Sequence, residues 1–157
     1  SMRPAVVTLA RHEDQSLRDC VTFGLQECKY ISMVRFDGPL FFANASYLED
    51  KITELMRKKQ RLRHIILVSN GINDIDASGE DTLSLMVDRV RSAGIDISMS
   101  GMNEAVITVL KRTHFFEKIG EDHIYPTMEK AINGIYAETH KDSQEEFCPL
   151  MTVCRIG

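Results

Sequence analysis

Two kinds of apolar pattern alternate along the chain. Short runs without gaps suit strands, and segments whose apolar residues recur every three or four positions suit helices. Ala5 to Leu9 is the first strand candidate, and the polar stretch His12 to Arg18 after it reads as a loop. Tyr30 to Arg35 is the second strand. Asp37-Gly38-Pro39 then breaks the chain, because proline lacks a donor and glycine permits unusual dihedrals. Leu40-Phe41-Phe42 resumes extended structure, so this spacing predicts a hairpin. The run Ile65-Ile66-Leu67-Val68 has no polar interruption and predicts a central strand covered on both faces. Ile95 to Ser100 and His123-Ile124-Tyr125 are further strands.

Helical periodicity fills the intervals. Asn44 is positioned to cap a helix whose inner face is Leu48, Ile52, Leu55 and Met56, and which ends in the cations Arg57-Lys58-Lys59. Ser78-Gly79-Glu80-Asp81 has the form of a capping box before the stripe Leu83, Met86, Val87 and Val90, and Gly94 is placed to end that helix. Asn103 can cap a helix carrying Val106, Val109 and Leu110. Pro126-Thr127 opens the last one, with Met128, Ala131, Ile132 and Ile135 inward. Phe36, Phe41, Phe42, Phe115 and Phe116 are candidates for the core or a sheet face. The order β, ββ, α, β, α, β, α, β, α predicts an α/β domain: a small mixed β-sheet with an antiparallel N-terminal hairpin and helices mainly on one side. The domain is expected over residues 3–140. Periodicity fails from Lys141, so 141–157 reads as a tail, either disordered or adding one short element.

Composition narrows the function. With 157 residues the chain is long enough for one core without staples. Nineteen basic against 23 acidic residues give a net charge of −4, a poor match to a nucleic-acid footprint. No apolar run approaches the roughly 18–20 residues of a membrane-spanning helix. The N-terminus also lacks the apolar stretch of a signal peptide, and Ser1 reads as a cloning remnant. The cysteines at 20, 28, 148 and 154 form no CxxC pair, which argues against a structural zinc site and for reduced thiols; the minority reading is a disulfide across the termini. No metal or cofactor is expected. The five histidines are scattered, without HExxH, and neither GxGxxG nor GxxxxGK[ST] occurs.

Four segments carry a resemblance. Val34 to Ala45 resembles the opening of the STAS domain of SulP-type anion transporters, and Asp74-Ile75-Asp76-Ala77-Ser78-Gly79 resembles that domain's central loop-and-helix signature. Ser98-Met99-Ser100-Gly101 with the helix running to His114-Phe115-Phe116 is similar to its next unit, and Ile119-Gly120 with His123-Ile124-Tyr125 to its last strand. The resemblance spans roughly residues 3–138. It implies a non-enzymatic regulatory and interaction domain on the cytoplasmic face of the membrane, following a transport domain and soluble when excised, with Arg3-Pro4 near the junction. The implied partners are the transport domain, a second copy, acyl carrier protein or a nucleotide. The other branch of the fold holds the anti-sigma-factor antagonists, which are phosphorylated on a serine directly after the motif aspartate. Here that position is Ala77, which has no hydroxyl, so no phosphorylation is expected.

The candidate contact surface is therefore Asp74, Asp76, Ser78, Gly79 and Thr82 on the central loop and helix, with Ser100, Gly101 and Asn103 on the next turn. Both turns fall at the carboxyl edge of the presumed sheet, where ligands of open α/β sheets sit. A helix start also offers free N–H groups to an anion. Against an anion stand Asp74, Asp76, Glu80 and Asp81, and simple helix capping is the alternative for each turn. No nucleophile or histidine accompanies the carboxylates, so catalysis is not expected. The basic stretch Arg57 to His64 could face anionic lipid headgroups or simply complement a helix end. The alternatives to the transporter reading are a free-standing antagonist-like regulator and a weak nucleotide-binding module.

Overall fold

The computed structural model describes residues 3–11, 17–143 and 148–150; the side chains of Cys20 and Val21 are not among those described. Strands β1 (Ala5–Arg11) and β2 (Leu17–Asp19) precede a single helical turn, α1 (Cys20–Phe23), and then β3 (Ile31–Asp37). Helix α2 (Phe42–Lys58) and three strand–helix units follow: β4 (His64–Val68) with α3 (Ala77–Ser92), β5 (Asp96–Ser100) with α4 (Glu104–Arg112) and α5 (Phe115–Ile119), and β6 (Ile124–Tyr125) with α6 (Met128–Thr139). The six strands form one sheet in the order β2-β1-β3-β4-β5-β6. β3 to β6 run parallel, and β1 runs antiparallel to both β2 and β3.

The antiparallel edge is present, but its strands differ from those expected. Leu40-Phe41-Phe42 does not fold back on β3. Both edges of β3 are already occupied, by β1 from Ala5↔Asp37 to Leu9↔Met33 and by β4 from Ile31↔His64 to Arg35↔Val68. Leu40 instead makes a lone parallel bridge to Ile75, and α2 starts at once behind Phe41. Asn44 therefore lies inside α2 rather than capping it, and its Nδ2 donates to the Pro39 carbonyl at 2.7 Å. Phe42 is 81% exposed rather than packed, whereas Phe36, Phe115 and Phe116 are buried. Within the stretch read as a loop, Leu17 and Arg18 belong to β2; residues 12–16 lie outside the described residues.

Alternation along the central strands explains the two layers. Ile65 and Leu67 of β4, with Val34, Phe36, Ile97 and Met99, pack under α2, α3, α4 and α5. Ile66 and Val68, with Ile31 and Met33, face the opposite way and are covered by Ala131, Ile132 and Ile135 of α6. Tyr30, Cys28, Cys148 and Leu150 complete that second layer, so part of the segment beyond 141 is packed on the domain. Two other proposed helix ends hold. Gly94 ends α3 at φ +79°, a conformation that costs an L side chain about 1–2 kcal/mol. Thr127 caps α6 by accepting from Lys130 N–H. Among the described residues, no helix is long and apolar enough to cross a membrane.

Candidate functional site

The two predicted turns meet at the carboxyl edge of the sheet. Ser69 N–H donates to the Ser100 carbonyl at 2.8 Å, joining the end of β4 to the end of β5. Asn103 works in both directions: its Oδ1 accepts from Val106 N–H at 3.0 Å, capping α4, and its Nδ2 donates to the Ile72 carbonyl at 2.7 Å. Gly101 sits at φ +69° with the Asn70 amide packed where a Cβ would be. On the other flank, Gly38 N–H donates to Gly71 O at 2.8 Å and Leu40 N–H to Asp74 O at 2.9 Å. The Arg35–Asp37 ion pair, at 2.9 Å, lies where a side chain on Gly71 would have to go. The β4–α3 loop is thus tied to both neighbouring connections, by backbone hydrogen bonds from Gly38 and Leu40 on one side and by the Asn103 side chain on the other.

The capping of α3 differs from the expected box. Asp76, not Ser78, is the N-cap, and its carboxylate accepts from Gly79 N–H at 2.7 Å. The Leu40–Ile75 bridge holds Ile75 extended, so the helix begins at Ala77, two positions earlier than a cap at Ser78 requires. A carboxylate at this end also meets the positive pole of the helix.

These positions fall into three groups. Asp74, Ala77 and Asp81 are exposed. Asp76, Ser78, Thr82, Gly101 and Asn103 are half-buried and line the same edge. Gly79 and Ser100 are buried and cannot touch a partner. Gly79 brings the first turn of α3 against the Leu40 carbonyl. Ser100 points away from the surface: Ile97 and Met99 of β5 face α3 and α4, so Ser98 and Ser100 face the α6 layer by alternation. Its Oγ has no hydrogen-bond partner among the described residues. The edge carries Asp74, Asp81 and Glu104 as exposed acids, with Phe42 (81% exposed) and Leu85 (61%) as exposed apolar residues on α2 and α3.

The basic stretch is largely spent internally. Lys59 Nζ donates to Cys28 O at 2.6 Å and Ser32 Oγ at 2.8 Å, and Lys58 pairs with Glu54 at 2.8 Å. The Arg63 guanidinium donates to Thr139 O and Lys141 O at 2.6 and 2.8 Å, and lies over the Tyr30 ring.

Two clusters of side chains escape sequence reasoning. One lines a groove of about 530 Å³ at the opposite, amino edge of the parallel strands. There His64, 6% exposed, meets Ser98 Oγ at 2.7 Å, and Asp96 is held by Arg91 at 3.0 Å and by His123 at 2.8 Å. Burial pulls the His64 imidazole from the usual 6.5 down to about 4; Asp96 opposes this, while His123 and Arg91 add to it. The second cluster gathers Cys28, His140 and Cys148, whose donor atoms all lie within 4.8 Å of one another. Spacing could not reveal it, since Cys28 precedes β3 and the other two follow the last helix. Cys28 and Cys148 are free thiols, as expected, and the fold brings His140 to them.

The fold is a mixed sheet with an antiparallel N-terminal edge, a parallel core, and a central strand–loop–helix at its carboxyl edge. The STAS domain family matches residues 23–131. The chain belongs to that family. Bacillus subtilis YvdB, named as a sulfate transporter, is 30% identical over 95 residues, covering 60% of this chain and 18% of that protein. Sulfate transporter 1.2 of Arabidopsis thaliana is 24% identical over 110 residues, covering 64% of this chain and 17% of that protein. The chain therefore spans less than a fifth of the length of these relatives. Among solved structures, the SulP transporter STAS domain of Vibrio cholerae is 26% identical with a TM-score of 0.57, covering 69% of this chain and 81% of that one. The murine Slc26a9 anion transporter shares the fold with a TM-score of 0.72 at 21% identity, over 87% of this chain and 22% of that one. The anti-sigma factor antagonist SpoIIAA shares it with a TM-score of 0.58 at 16% identity, over 72% of this chain and 94% of that one.

Proposed function

We propose that the chain is the regulatory and interaction domain of a SulP-type transporter of an inorganic anion such as sulfate or bicarbonate, held at the cytoplasmic face of the membrane, and that it acts by docking rather than by catalysis. Its contact surface is the edge formed by Asp74, Asp76, Ala77, Ser78, Asp81 and Thr82 together with Gly101 and Asn103. The observation that carries this reading is the way the β4–α3 loop is fastened on both flanks, through Leu40 and Gly38 on one side and Asn103 on the other. A loop fixed on both flanks presents a preformed surface, which lowers the ordering cost of association. Exposed acids beside Phe42 and Leu85 suit a partner with basic and apolar groups, such as the inner face of a transport domain.

The other readings fare worse on chemistry. Asp76 and Asn103 already accept the N–H groups that an anion would use at α3 and α4, which leaves a phosphate poorly served. A kinase switch has no hydroxyl at Ala77. The test is anion uptake by the full-length gene product, in a host lacking its own uptake, with Ala77→Arg and Asp81→Arg. Both positions are exposed, so each change should shift domain stability by no more than about 0.5 kcal/mol. Uptake is expected to fall several-fold at unchanged membrane abundance. Uptake equal to wild type in both variants would overturn the docking surface.

A further inference from the structure

We propose that Cys28, His140 and Cys148 form a metal site that takes a thiophilic divalent cation, zinc in the first instance. The site fastens the segment 148–150 to the face of the sheet covered by α6.

The distances match the ion. Cys28 Sγ lies 3.5 Å from Cys148 Sγ and 3.4 Å from His140 Nε2. In a tetrahedral zinc site, bond lengths of about 2.3 Å to sulfur and 2.05 Å to nitrogen place two sulfurs about 3.8 Å apart and a sulfur and nitrogen about 3.6 Å apart. The two edges that meet at Cys28 thus lie within a few tenths of an ångström of the required tetrahedron, Cys148 and His140 stand within 4.8 Å of each other, and a water takes the fourth corner.

The imidazole is also in the form a metal needs. Its Nδ1 faces two oxygens, the Tyr136 carbonyl at 3.0 Å and Thr139 Oγ1 at 2.9 Å. The Thr139 hydroxyl already donates to the Ile135 carbonyl at 2.9 Å, so toward His140 it is an acceptor. Nδ1 therefore carries the proton, and Nε2 turns its lone pair to Cys28 Sγ. A backbone carbonyl on the far nitrogen is the usual way a metal-bound histidine is oriented. Tyr136 stacks on the ring at 3.8 Å between centroids and Tyr30 meets its edge at 5.1 Å, which fixes the plane.

The sulfurs are similarly prepared. The Cys148 sulfur and burial push the Cys28 thiol up, while the hydrogen bond from Cys28 draws the Cys148 thiol down to about 6; backbone N–H groups of Tyr30 and Ile31 on the Cys28 sulfur and of Leu150 on the Cys148 sulfur offset part of the cost of a thiolate. Both cysteines are buried, at 3% and 2% exposure, so an ion held there is shielded from competing ligands. A plain dithiol pair would need neither the directed imidazole nor its supporting shell, and this separates the metal reading from a disulfide between the same sulfurs.

The experiment loads the reduced 157-residue chain with zinc or cobalt(II), keeping a non-thiol reductant present. One equivalent of zinc should remain after desalting, measured by mass spectrometry of the elements. Cobalt should give the intense visible bands of a tetrahedral ion and the near-ultraviolet charge transfer of thiolate ligands. Cys148→Ser and His140→Gln should each weaken binding at least tenfold, while Cys20→Ser with Cys154→Ser should bind as wild type. Circular dichroism confirms that each variant is folded. Zinc should also slow proteolysis of the C-terminal segment in the wild type and not in Cys148→Ser. The proposal is overturned if the folded, reduced wild type gives no cobalt spectrum, or if the Cys20/Cys154 pair accounts for the metal. It is overturned equally if the chain only forms a Cys28–Cys148 disulfide in air, read as a 2 Da loss, and takes up no metal once reduced.

Discussion

Replacing Gly79 with alanine puts a methyl group where the Leu40 carbonyl oxygen now sits, and within 3.1 Å of Ile75 Cγ1. The obstacle is backbone, so no rotamer change relieves it. Leu40 is itself fixed: its N–H donates to Asp74 O at 2.9 Å, its carbonyl accepts from Asp76 N–H at 3.5 Å, and it bridges Ile75. Either the start of α3 retreats or the Leu40–Ile75 bridge opens, and both loosen the docking edge. Two effects compete. Alanine is the better helix former by about 1 kcal/mol, and less in a first turn. Overpacking costs about 1–3 kcal/mol, with the upper end expected against an immobile carbonyl. The net loss is about 2 kcal/mol. At about 2–4 °C per kcal/mol for a domain of this size, Tm should fall by about 4–8 °C. Gly134→Ala is the control: its methyl would meet the Tyr125 ring end, a side chain that can swing aside, and Tm should move by far less. Thermal unfolding followed by circular dichroism reads both. A Gly79→Ala protein as stable as wild type, or more stable, would refute the close approach and with it the rigid-edge argument.

Other consequences are as direct. His64 stays neutral in the folded protein down to about pH 4, whereas in the unfolded chain it protonates at 6.5. Its contribution is therefore intact above 6.5 and is lost as pH falls toward 4, by about 3 kcal/mol in total. His64→Gln should flatten the acid limb of stability against pH over that window, and an unchanged limb would count against a buried neutral imidazole. Asn103→Ala removes the α4 cap and strands the Ile72 carbonyl, costing about 2 kcal/mol, while Asn103→Ser restores the cap and about half of that. Urea titration should show a lower midpoint at constant slope for the alanine variant; equal midpoints for alanine and serine would contradict the dual role.

Much of the fold was legible because its signals are local. The uninterrupted Ile65–Val68 run marked a strand covered on both faces, and the structure divides it between two cores. Asn103, Thr127 and Gly94 announced helix ends through capping chemistry that needs no partner elsewhere. The errors arose where tertiary pairing decided. Leu40–Phe42 looks extended, yet β3 had no free edge left for it. Ser78 fits a capping box, yet the Leu40–Ile75 bridge started the helix earlier and gave the cap to Asp76. On the contact edge, residue type alone could not tell the exposed Asp74 from the inward Ser100; strand alternation around Ile97 and Met99 does so. Cys28 and Cys148 were beyond reach, because only the folding of α6 across the sheet brings them 3.5 Å apart.

The central claim, that this domain is one part of a membrane transporter, is tested most directly by the size and location of the native protein. An antibody raised against the 157-residue chain would probe soluble and membrane fractions of the source cells. The account predicts a band several times larger than 17.8 kDa, confined to the membrane fraction. A soluble band near 17.8 kDa would contradict it and place the protein with the free-standing regulators, leaving Ala77 at the phosphoacceptor position as the fact to explain.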